Sequence, residues 1–478
     1  MDAELFRRHG RRALEWIAGY LEHSERYPVL SRVSPGEVRS QLPASPPEQG
    51  ESLDAILDDF EQIIAPGLTH WNHPGFFAYF AISGSAPGVI GEFLAAGLNV
   101  QAMLWRTSPA ATELEELTLD WLRQLVGLPE GFDGVIYDTA SVSTLHALAA
   151  AREVALPDVR DQGLVGRSDL SGVRVYASEH AHSSIEKSVM LLGLGRRALR
   201  CIPADAEYRM RPDALAAAVA EDRAAGLVLI AAVATVGTTS STSVDPVPAI
   251  ARICNAEGIW LHVDAAYAGV AAMVPECAHV LDGCERADSV VINPHKWLFT
   301  PFDLSALFST RMDAVRSAFA LTPEYLRTSD AGQVRNLMDT GIQLGRRFRA
   351  LKLWMVLRHF GAEGLRRRLA EHMRLARLFA GWVDADGDFE RLAPVPFSVV
   401  CFRAKPTGRA WSEADLERLN ASIIDALNAS GDVFLGHTKL DDRYAIRLAI
   451  GHIRTTERHV TRAWELVRQH TRALTERQ

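Results

Sequence analysis

The stretches HVDAAYAG (262–269) and SVVINPHKW (289–297) decide the fold of this chain. Each joins a short apolar, largely β-branched run to polar residues, Asp264 in the first and Asn293 to Lys296 in the second. Between about residues 113 and 310, such runs alternate with helical or loop stretches. This alternation predicts an α/β fold with a mostly parallel central sheet covered by helices, and ligands of such sheets bind beyond the carboxyl ends of the strands. The predicted strands are 173–176, 227–233, 260–263, 289–292 and 306–308.

The rest of the chain predicts two further parts. Residues 1–85 form an N-terminal helical arm, with helices over 4–22 and 52–64 and little core of its own, so we expect the arm to pack on another part of the protein or on a partner subunit. Residues 86–370 form the large domain. A long basic amphipathic helix is predicted to start near Leu344, and residues 371–478 form a small α+β domain with FSVVCFRA and YAIRLAI as strands.

The composition argues against several classes of function. The 478 residues carry a formal charge of −8, which gives no electrostatic basis for binding nucleic acid or an anionic membrane. The longest apolar run, 224–236, is too short to span a bilayer. The chain begins MDAELFRRHGRR, which is unlike an export signal, and its five cysteines are scattered without a CxxC pair. We therefore expect a cytoplasmic protein without a metal site, whose partners are small molecules.

Polar residues at three strand ends suggest a specific chemistry. Taken singly, His182 in YASEHAHSS or Asp264 has a simpler interpretation as a hydrogen-bonded structural residue or a helix cap. Together, a partly desolvated Lys296 can form a Schiff base with an aldehyde, and Asp264 can keep a pyridine nitrogen protonated. These are the two groups that pyridoxal 5'-phosphate (PLP) requires. The residues Thr139, Ala140 and Ser141 precede a strong helix whose N-terminus suits the phosphate, although a simple cap is an equally good interpretation of that segment alone.

Segments along the whole chain resemble those of a known enzyme family. The segments FRRHGRRALEWIAGYLE, PGLTHWNHPGFFAYF, SPAATELEELTLDWL, AHSSIEKS, HVDAAYAG, NPHKWL, LGRRFRALKLW and IRLAI resemble, in order, landmarks of the PLP-dependent group II decarboxylases. The resemblance covers essentially the whole chain and is strongest to the aromatic L-amino-acid decarboxylase branch. It implies PLP fold type I, like that of aspartate aminotransferase, and an intertwined homodimer with its sites at the interface.

The resemblance also implies roles for individual residues. Lys296 corresponds to the lysine that binds the cofactor as an imine, Asp264 to the partner of the pyridine nitrogen, His182 to the residue stacked on the ring, and Ala266 to the residue on the opposite face. Thr235 corresponds to a residue near the ring substituents. The phosphate ligands would be Thr139, Ala140, Ser141, Asn293 and His295. The substrate pocket would comprise Trp71, Tyr79, Phe80, Ile82 and Phe302 of one subunit and Gln101 and Met103 of its neighbour.

The stretch NLMDTGIQLGRRF departs from the family pattern. Where the family has a loop tyrosine associated with reprotonation of Cα, this chain has Thr340, whose hydroxyl is too weakly acidic to replace it. The implied quinonoid could instead react with O₂ and yield an aldehyde, ammonia and peroxide, as in the family's aldehyde synthases, which have phenylalanine at this position.

Other outcomes stay open at this stage. An ordinary decarboxylase could use another donor, such as His182 or a residue of the neighbouring subunit, and a β-eliminating C–S lyase would keep the carboxylate. A shifted loop alignment would remove the departure altogether. An aminotransferase and a binding protein that has lost the chemistry are the remaining alternatives.

Three more departures concern the substrate. The chain has Gln101 and Met103 where aromatic decarboxylases usually have aliphatic and aromatic residues, and Ala81-Ile82 where they usually have Pro-Thr. Asp138 stands where a small residue usually precedes the phosphate site, and a carboxylate there would repel a phosphate unless it faces away or meets a cation. These changes predict a more open, more polar pocket. They suit an L-amino acid with a polar or S-conjugated side chain, as in the side branch of the family that serves lincosamide antibiotic pathways.

Overall fold

A computed structural model of the chain describes residues 1–321, 334–408 and 410–476. The α-helices within these ranges are α1 (Ala3–His23), α2 (Glu37–Ser40), α3 (Leu53–Asp59), α4 (Ala86–Leu98), α5 (Pro109–Val126), α6 (Ala140–Ala155), α7 (Val159–Gln162), α8 (Ser184–Leu191), α9 (Pro212–Ala224), α10 (Val247–Glu257), α11 (Pro294–Trp297), α12 (Met312–Phe319), α13 (Ala350–Ala385), α14 (Glu413–Ser430) and α15 (Glu457–Thr475). The β-strands are β1 (Phe76–Phe77), β2 (Asp133–Tyr137), β3 (Val173–Ser178), β4 (Leu199–Ile202), β5 (Val228–Thr235), β6 (Trp260–Asp264), β7 (Ser289–Ile292), β8 (Ser305–Ser309), β9 (Phe389–Arg391), β10 (Val399–Ala404), β11 (Phe434–Leu440) and β12 (Arg443–Ala449).

The large sheet confirms the predicted α/β class. Its strand order is β2-β8-β7-β6-β5-β3-β4. The neighbours from β7 through β6, β5 and β3 to β4 pair in parallel, whereas β8 is antiparallel to both β2 and β7. Strands β6, β7 and β8 are buried along their whole length, and β5 is buried after its first residue. Burial on both faces explains the nearly continuous apolar runs of these strands in the sequence.

The described chain divides into two compact units. One comprises Ile82–Arg374 and Ala393–Val399 and contains the large sheet. The other comprises Met1–Ala81, Leu375–Leu392 and Val400–Gln478, and its five-stranded sheet has the order β1-β11-β12-β10-β9. Most of the predicted arm, 1–85, and most of the predicted small domain, 371–478, therefore fall in a single unit, and the three predicted domain boundaries stay a prediction. No helix in the described ranges is both long and apolar enough to cross a bilayer.

The observed bounds of the N-terminal helices and of the long helix can be compared with the predicted bounds. Helices α1 and α3 lie where expected, and α3 continues as a π-helix over Phe60–Ile64. The long helix predicted to start near Leu344 begins only at Ala350 and is interrupted at Gly361, where φ is 61°. That predicted start was wrong because Arg346 is buried and bonded to Glu115, which holds the residues before α13 in a non-helical conformation.

Candidate active site

The carboxyl ends of three neighbouring parallel strands bring the predicted residues together. Thr235 at the end of β5 pairs with Asp264 at the end of β6, and Asp264 pairs with Val291 of β7. Asn293 follows β7 and begins the short helix α11, which carries Lys296. The Asp264 carboxylate accepts a hydrogen bond from the main-chain nitrogen of Ala266 at 3.1 Å. Sheet register thus places a carboxylate, a hydroxyl and a lysine at one edge of the sheet.

His182 follows β3, the strand on the far side of β5. Its Nδ1 accepts a hydrogen bond from the main-chain nitrogen of Ser184 at 3.2 Å, so the neutral ring carries its proton on Nε2. Burial lowers the pKa of His182, while the charge of Asp264 raises it and that of Lys296 lowers it. Asp264 and Lys296 therefore both lie within electrostatic range of the His182 ring, and burial favours the neutral form of that ring.

The start of α6 lies at the same edge of the sheet. Two buried side-chain contacts hold its first turns there: Ser143 Oγ lies 2.7 Å from Ser305 Oγ, and Thr144 Oγ1 lies 3.2 Å from His262 Nε2. At the beginning of a helix the main-chain N–H groups have no partner within the helix, so those of Ala140 and Ser141 could bind an anion. We call residues 139–141 the phosphate cup.

Asn293 and His295 follow β7 and lie at the same edge of the sheet. The main-chain nitrogen of Leu304 donates to His295 Nδ1 at 2.8 Å, so the proton of the neutral ring lies on Nε2, 3.3 Å from the side-chain amide of Asn293. Burial, with a smaller effect of Lys296, lowers the pKa of His295 to about 3. As placed, Nδ2 of Asn293 faces Nε2 and its Oδ1 has no partner. Because Nε2 carries the proton and two donors cannot bond, the contact becomes a hydrogen bond only when the amide is turned, with Oδ1 toward His295 and the NH₂ group away from it.

Two buried polar groups at this edge have no partner among the described residues. They are the hydroxyl of Thr235 and the end of the Asn293 amide that points away from His295. Buried polar groups are nearly always hydrogen-bonded, so both groups point to a polar ligand. An NH₂ group suits a phosphate oxygen, and a hydroxyl suits a ring substituent, so these residues fit a phosphorylated pyridine aldehyde with Lys296 as its anchor.

Comparison with known proteins identifies the family. The model of the pyridoxal-dependent decarboxylase conserved domain matches residues 35–405. The chain belongs to the pyridoxal-dependent decarboxylase family. It is 42% identical to phenylacetaldehyde synthase of Arabidopsis thaliana, over 98% of this chain and 96% of that protein, and 41% identical to tryptophan decarboxylase 2 of Oryza sativa subsp. japonica, over 98% and 95%. The crystal structure of Oryza sativa TDC with PLP and tryptamine superimposes with a TM-score of 0.95, at 38% identity and 99% coverage of both chains.

Family membership confirms several expectations from the sequence. The cofactor is PLP, the fold is PLP fold type I, and the protein is a PLP-dependent lyase of the carboxy-lyase type. The roles of individual residues are taken up below as proposals. The geometry brings Lys296, Asp264, His182 and Thr235 to one edge of the sheet in this decarboxylase fold.

Asp138, the unexpected acid ahead of the phosphate cup, occupies part of the cup itself. Its Oδ1 accepts the main-chain N–H of Thr139 at 2.6 Å and the Thr139 hydroxyl at 3.2 Å. Its Oδ2 accepts from Gln343 Nε2 at 3.3 Å. The carboxylate therefore meets neutral donors, and it uses two donors that a phosphate would otherwise receive from Thr139.

Thr340, which the sequence predicts to stand in place of the family's loop tyrosine, is fully buried in a 3-10 turn over Leu337–Thr340. Its hydroxyl donates to the carbonyl oxygen of Leu337 at 2.6 Å. The Tyr137 hydroxyl donates to the Thr340 carbonyl oxygen. The Thr340 hydroxyl therefore donates its proton to a hydrogen bond within its own turn.

The predicted substrate-pocket residues fall in both units. In the large-sheet unit, the ring of Phe302 lies 4.9 Å from that of His295, and Ile82 begins the unit. The Gln101 Oε1 accepts from the main-chain nitrogen of Arg346 at 2.6 Å, and the Met103 carbonyl accepts from that of Met338 at 3.0 Å.

The remaining pocket residues lie in the other unit. The ring of Trp71 stacks with that of Tyr79 at 5.7 Å, and the guanidinium of Arg447 lies 4.6 Å from the centre of the Phe80 ring. Arg447 is buried and also donates to the carbonyl oxygen of Tyr79.

Several residues at these sites escaped the sequence analysis. Asp245, almost fully buried, accepts from the main-chain nitrogens of Thr235 and Met210 at 2.8 and 2.7 Å, so it holds Thr235 in place. Burial raises the pKa of Asp245 to about 6. The signals were available in part, since Asp245 follows a run of small hydroxyl residues and Arg447 interrupts the apolar strand YAIRLAI. Tyr137 and His146 gave no signal, because their contacts are with a distant segment.

Proposed function

We propose that this decarboxylase removes the α-carboxylate of an L-amino acid and releases the remainder as an aldehyde. In the balanced reaction, the amino acid, O₂ and water give the aldehyde, CO₂, ammonia and hydrogen peroxide. The Cα–carboxylate and Cα–nitrogen bonds break, Cα is oxidised, and O₂ is reduced to peroxide. The similarity to a phenylacetaldehyde synthase and to a tryptophan decarboxylase supports both this reaction and simple decarboxylation.

The roles of the residues follow from their positions at the sheet edge. Bound PLP supplies an electron-accepting ring for the pair released when the carboxylate leaves. Lys296 would hold the cofactor aldehyde, and Asp264 would face the pyridine nitrogen and favour its protonated form. His182 and Ala266 would cover the two faces of the ring. Ala140, Ser141 and Thr139 would bind the phosphate together with Asn293 and His295, and Thr235 would bind a ring substituent.

The observation that carries the proposal is the state of Thr340. Its hydroxyl donates to Leu337 within a buried turn, and an aliphatic hydroxyl is a poor acid in any case. No side-chain acid therefore approaches the substrate from the tyrosine position. When protonation of Cα is slow, reaction with O₂ competes successfully, and the aldehyde becomes the main product.

A second candidate is simple decarboxylation to an amine. One observation favours it, because His182 lies close enough to Asp264 for the carboxylate to favour its protonated form, and an imidazolium is a far stronger acid than the Thr340 hydroxyl. A third reaction, β-elimination from a cysteine S-conjugate, would give a keto acid and a thiol, with the carboxylate retained.

The substrate we propose is polar or S-conjugated at its side chain. Support comes from the polar side chains of Asp138, Gln343 and Gln101, all of which are at least partly exposed. A role in antibiotic biosynthesis and a cytoplasmic location remain proposals from the sequence.

Product analysis tests the reaction. The purified holoenzyme would be incubated with aromatic, polar and S-conjugated L-amino acids in air and under nitrogen, with CO₂, aldehyde, ammonia, peroxide, amine and keto acid measured together. We expect aldehyde, ammonia and peroxide in equal amounts, and product formation that stops without O₂. Amine formed at the same rate under nitrogen would refute the proposal in favour of simple decarboxylation, and a keto acid without CO₂ would refute it in favour of elimination.

We also propose that the working unit is a homodimer. Helix α4 exposes a large apolar surface through Phe93 and Leu98, which are 60% and 63% exposed, together with Ile90 and Leu94. Contiguous exposed apolar surface of this kind marks a protein contact. Phe93→Glu should shift the particle mass from two chains to one in light scattering. Glu113→Lys, on the exposed side of α5, is the matched charge-changing control and should leave the mass unchanged.

A further inference from the structure

A chain of buried side-chain hydrogen bonds joins the large sheet to the helix that begins at the phosphate cup. Trp260 Nε1 donates to the hydroxyl of Ser289 at 2.9 Å, and that hydroxyl lies 2.9 Å from Nδ1 of His262. On the other side of the imidazole, Nε2 lies 3.2 Å from the hydroxyl of Thr144 in α6. All four residues are buried, and three of them, His262, Ser289 and Thr144, are fully so. His262 therefore connects strands β6 and β7 to α6.

The imidazole of His262 is suited to bond both hydroxyls at once. Burial lowers its pKa to about 4, and the charge of Asp264 only partly offsets this effect, so the ring is neutral at neutral pH. A neutral imidazole has one donor nitrogen and one acceptor nitrogen, and a hydroxyl can serve as the partner of either. Because the site is closed to solvent, water cannot replace a partner that is lost.

The two ends of this contact lie next to the groups proposed for two parts of PLP. His262 and Asp264 are alternate residues of β6, so their side chains lie on the same face of the strand. Thr144 lies in the second turn of α6, directly after the phosphate cup. In PLP a rigid ring and a short methylene ester join the pyridine nitrogen to the phosphate, so the distance between the groups that bind them can vary little. The bond between His262 and Thr144 helps to fix that distance, because it ties β6 to α6.

We infer that His262 and Thr144 are positioning residues that hold the phosphate cup at the distance from Asp264 that PLP requires. The inference rests on the roles proposed above for Asp264 and for the cup, and it does not depend on which product is released. Neither His262 nor Thr144 needs to contact the cofactor. A ligand bound at both ends should therefore depend on the bond, whereas a ligand bound at one end alone should not.

The experiment measures dissociation constants by titration of the full-length apoenzyme. Three probes are used: PLP, pyridoxal, which lacks the phosphate, and inorganic phosphate, which lacks the ring. Thr144→Val removes the hydroxyl with little change in shape. We expect its dissociation constant for PLP to rise roughly five- to tenfold, as befits the loss of one buried hydrogen bond, and those for pyridoxal and phosphate to change by less than about twofold.

Conservative variants test the geometry of the bond. Thr144→Ser keeps a hydroxyl, and His262→Gln keeps an amide near the position of Nε2, so both should bind PLP within about twofold of the wild type. His262→Asn has an amide that is too short to reach Thr144 and should resemble Thr144→Val. Thr118→Val is the matched control, because Thr118 is also fully buried in a helix but donates to Leu114 of its own helix, α5. It should leave all three dissociation constants unchanged.

Asp264→Ala separates the inference from the roles on which it rests. It should weaken the binding of PLP and pyridoxal alike; if it changes neither, the proposed role of Asp264 fails and the inference fails with it. If Asp264→Ala weakens both ligands but Thr144→Val binds PLP like the wild type, the inference is refuted while the proposed roles stand.

Two other results would also overturn the positioning role. One is a loss in Thr144→Val that is equal for PLP and pyridoxal, and the other is a similar loss in Thr118→Val, since the hydroxyl would then serve stability alone. Should His262→Asn fail to fold, the comparison of Thr144→Val with Thr144→Ser still decides the question.

Discussion

Glu115 offers the sharpest test of how the segment before α13 is held. Glu115, on α5, is 2% exposed, and its Oε1 accepts from Arg346 Nη2 at 2.7 Å and from the main-chain nitrogen of Ile136 at 2.9 Å. Arg346 Nη2 also donates to the carbonyl oxygen of Ile136 at 2.7 Å. The pair therefore joins α5, β2 and the residues preceding α13 within the core.

The expected loss in the Glu115→Ala variant follows from these contacts. The guanidinium of Arg346 would stay buried without its counter-charge, which typically costs about 3–5 kcal/mol. The Ile136 N–H would also lose its acceptor, a cost that overlaps with the first. We expect the free energy of unfolding to fall by about 4 kcal/mol. At about 2–4 °C per kcal/mol for a domain of this size, the melting temperature should fall by roughly 10 °C.

Urea unfolding of the PLP-saturated protein measures this loss in a double-mutant cycle. Arg346→Met keeps the volume and removes the charge, so the double variant should recover roughly 2 kcal/mol relative to the sum of the two single losses. Glu371→Ala, which breaks a half-exposed pair with Arg374 on α13, is the control and should cost less than about 1 kcal/mol. A Glu115→Ala loss as small as that of the control, or strictly additive losses in the cycle, would refute the reasoning.

Three further outcomes are expected. Lys296→Ala should abolish the borohydride-reducible link to PLP found by mass spectrometry, whereas Lys187→Ala should retain it; a link that survives without Lys296 would contradict the assignment. Asp138→Asn should bind PLP about tenfold more tightly in titrations of the apoenzyme, because a negative charge beside the phosphate is removed, and an unchanged affinity would count against that repulsion. Burial lowers the pKa of His262 to about 4 and that of His295 to about 3, whereas both are near 6.5 in the unfolded chain. Between these folded and unfolded pKa values the folded chain binds fewer protons than the unfolded chain, so the protein loses stability as the pH falls below 6.5. Each should cost about 2 kcal/mol at pH 5, and a urea midpoint equal at pH 7.5 and pH 5 would contradict this.

The sequence predicted the edge of the sheet well because the information there is local. An apolar run marks a buried strand, and the polar residue that ends it, such as Asp264 or Asn293, then lies at the carboxyl end whatever the rest of the chain does. Parallel neighbours bring such ends together without any further specification. The sequence alone therefore suffices to group the residues around Lys296.

The segment before α13 could not be predicted, because its partners are far away in sequence. The amphipathic pattern from Leu344 onward favours a helix, yet Arg346 is bonded to Glu115, 231 positions earlier, and that bond overrides the local preference. The contact between Gln343 and Asp138 spans 205 positions. The charge of Asp138 was expected to meet a cation or to face away from the cup, whereas it is neutral donors that satisfy it.

The contacts of residues 340–342 with Tyr137 and His146 limit where a side chain at position 340 can point. If Thr340 replaces the family's loop tyrosine, restoring the tyrosine would be expected to restore amine formation, provided that its side chain points at the substrate. Here the main chain of 340–342 is bonded to Tyr137 and His146, and the Thr340 side chain is buried in its own turn. A tyrosine introduced at 340 would overfill that turn before it could approach the cofactor. We therefore expect a side chain introduced at position 340 to reach the cofactor only if the main chain of 340–342 is also released from Tyr137 and His146.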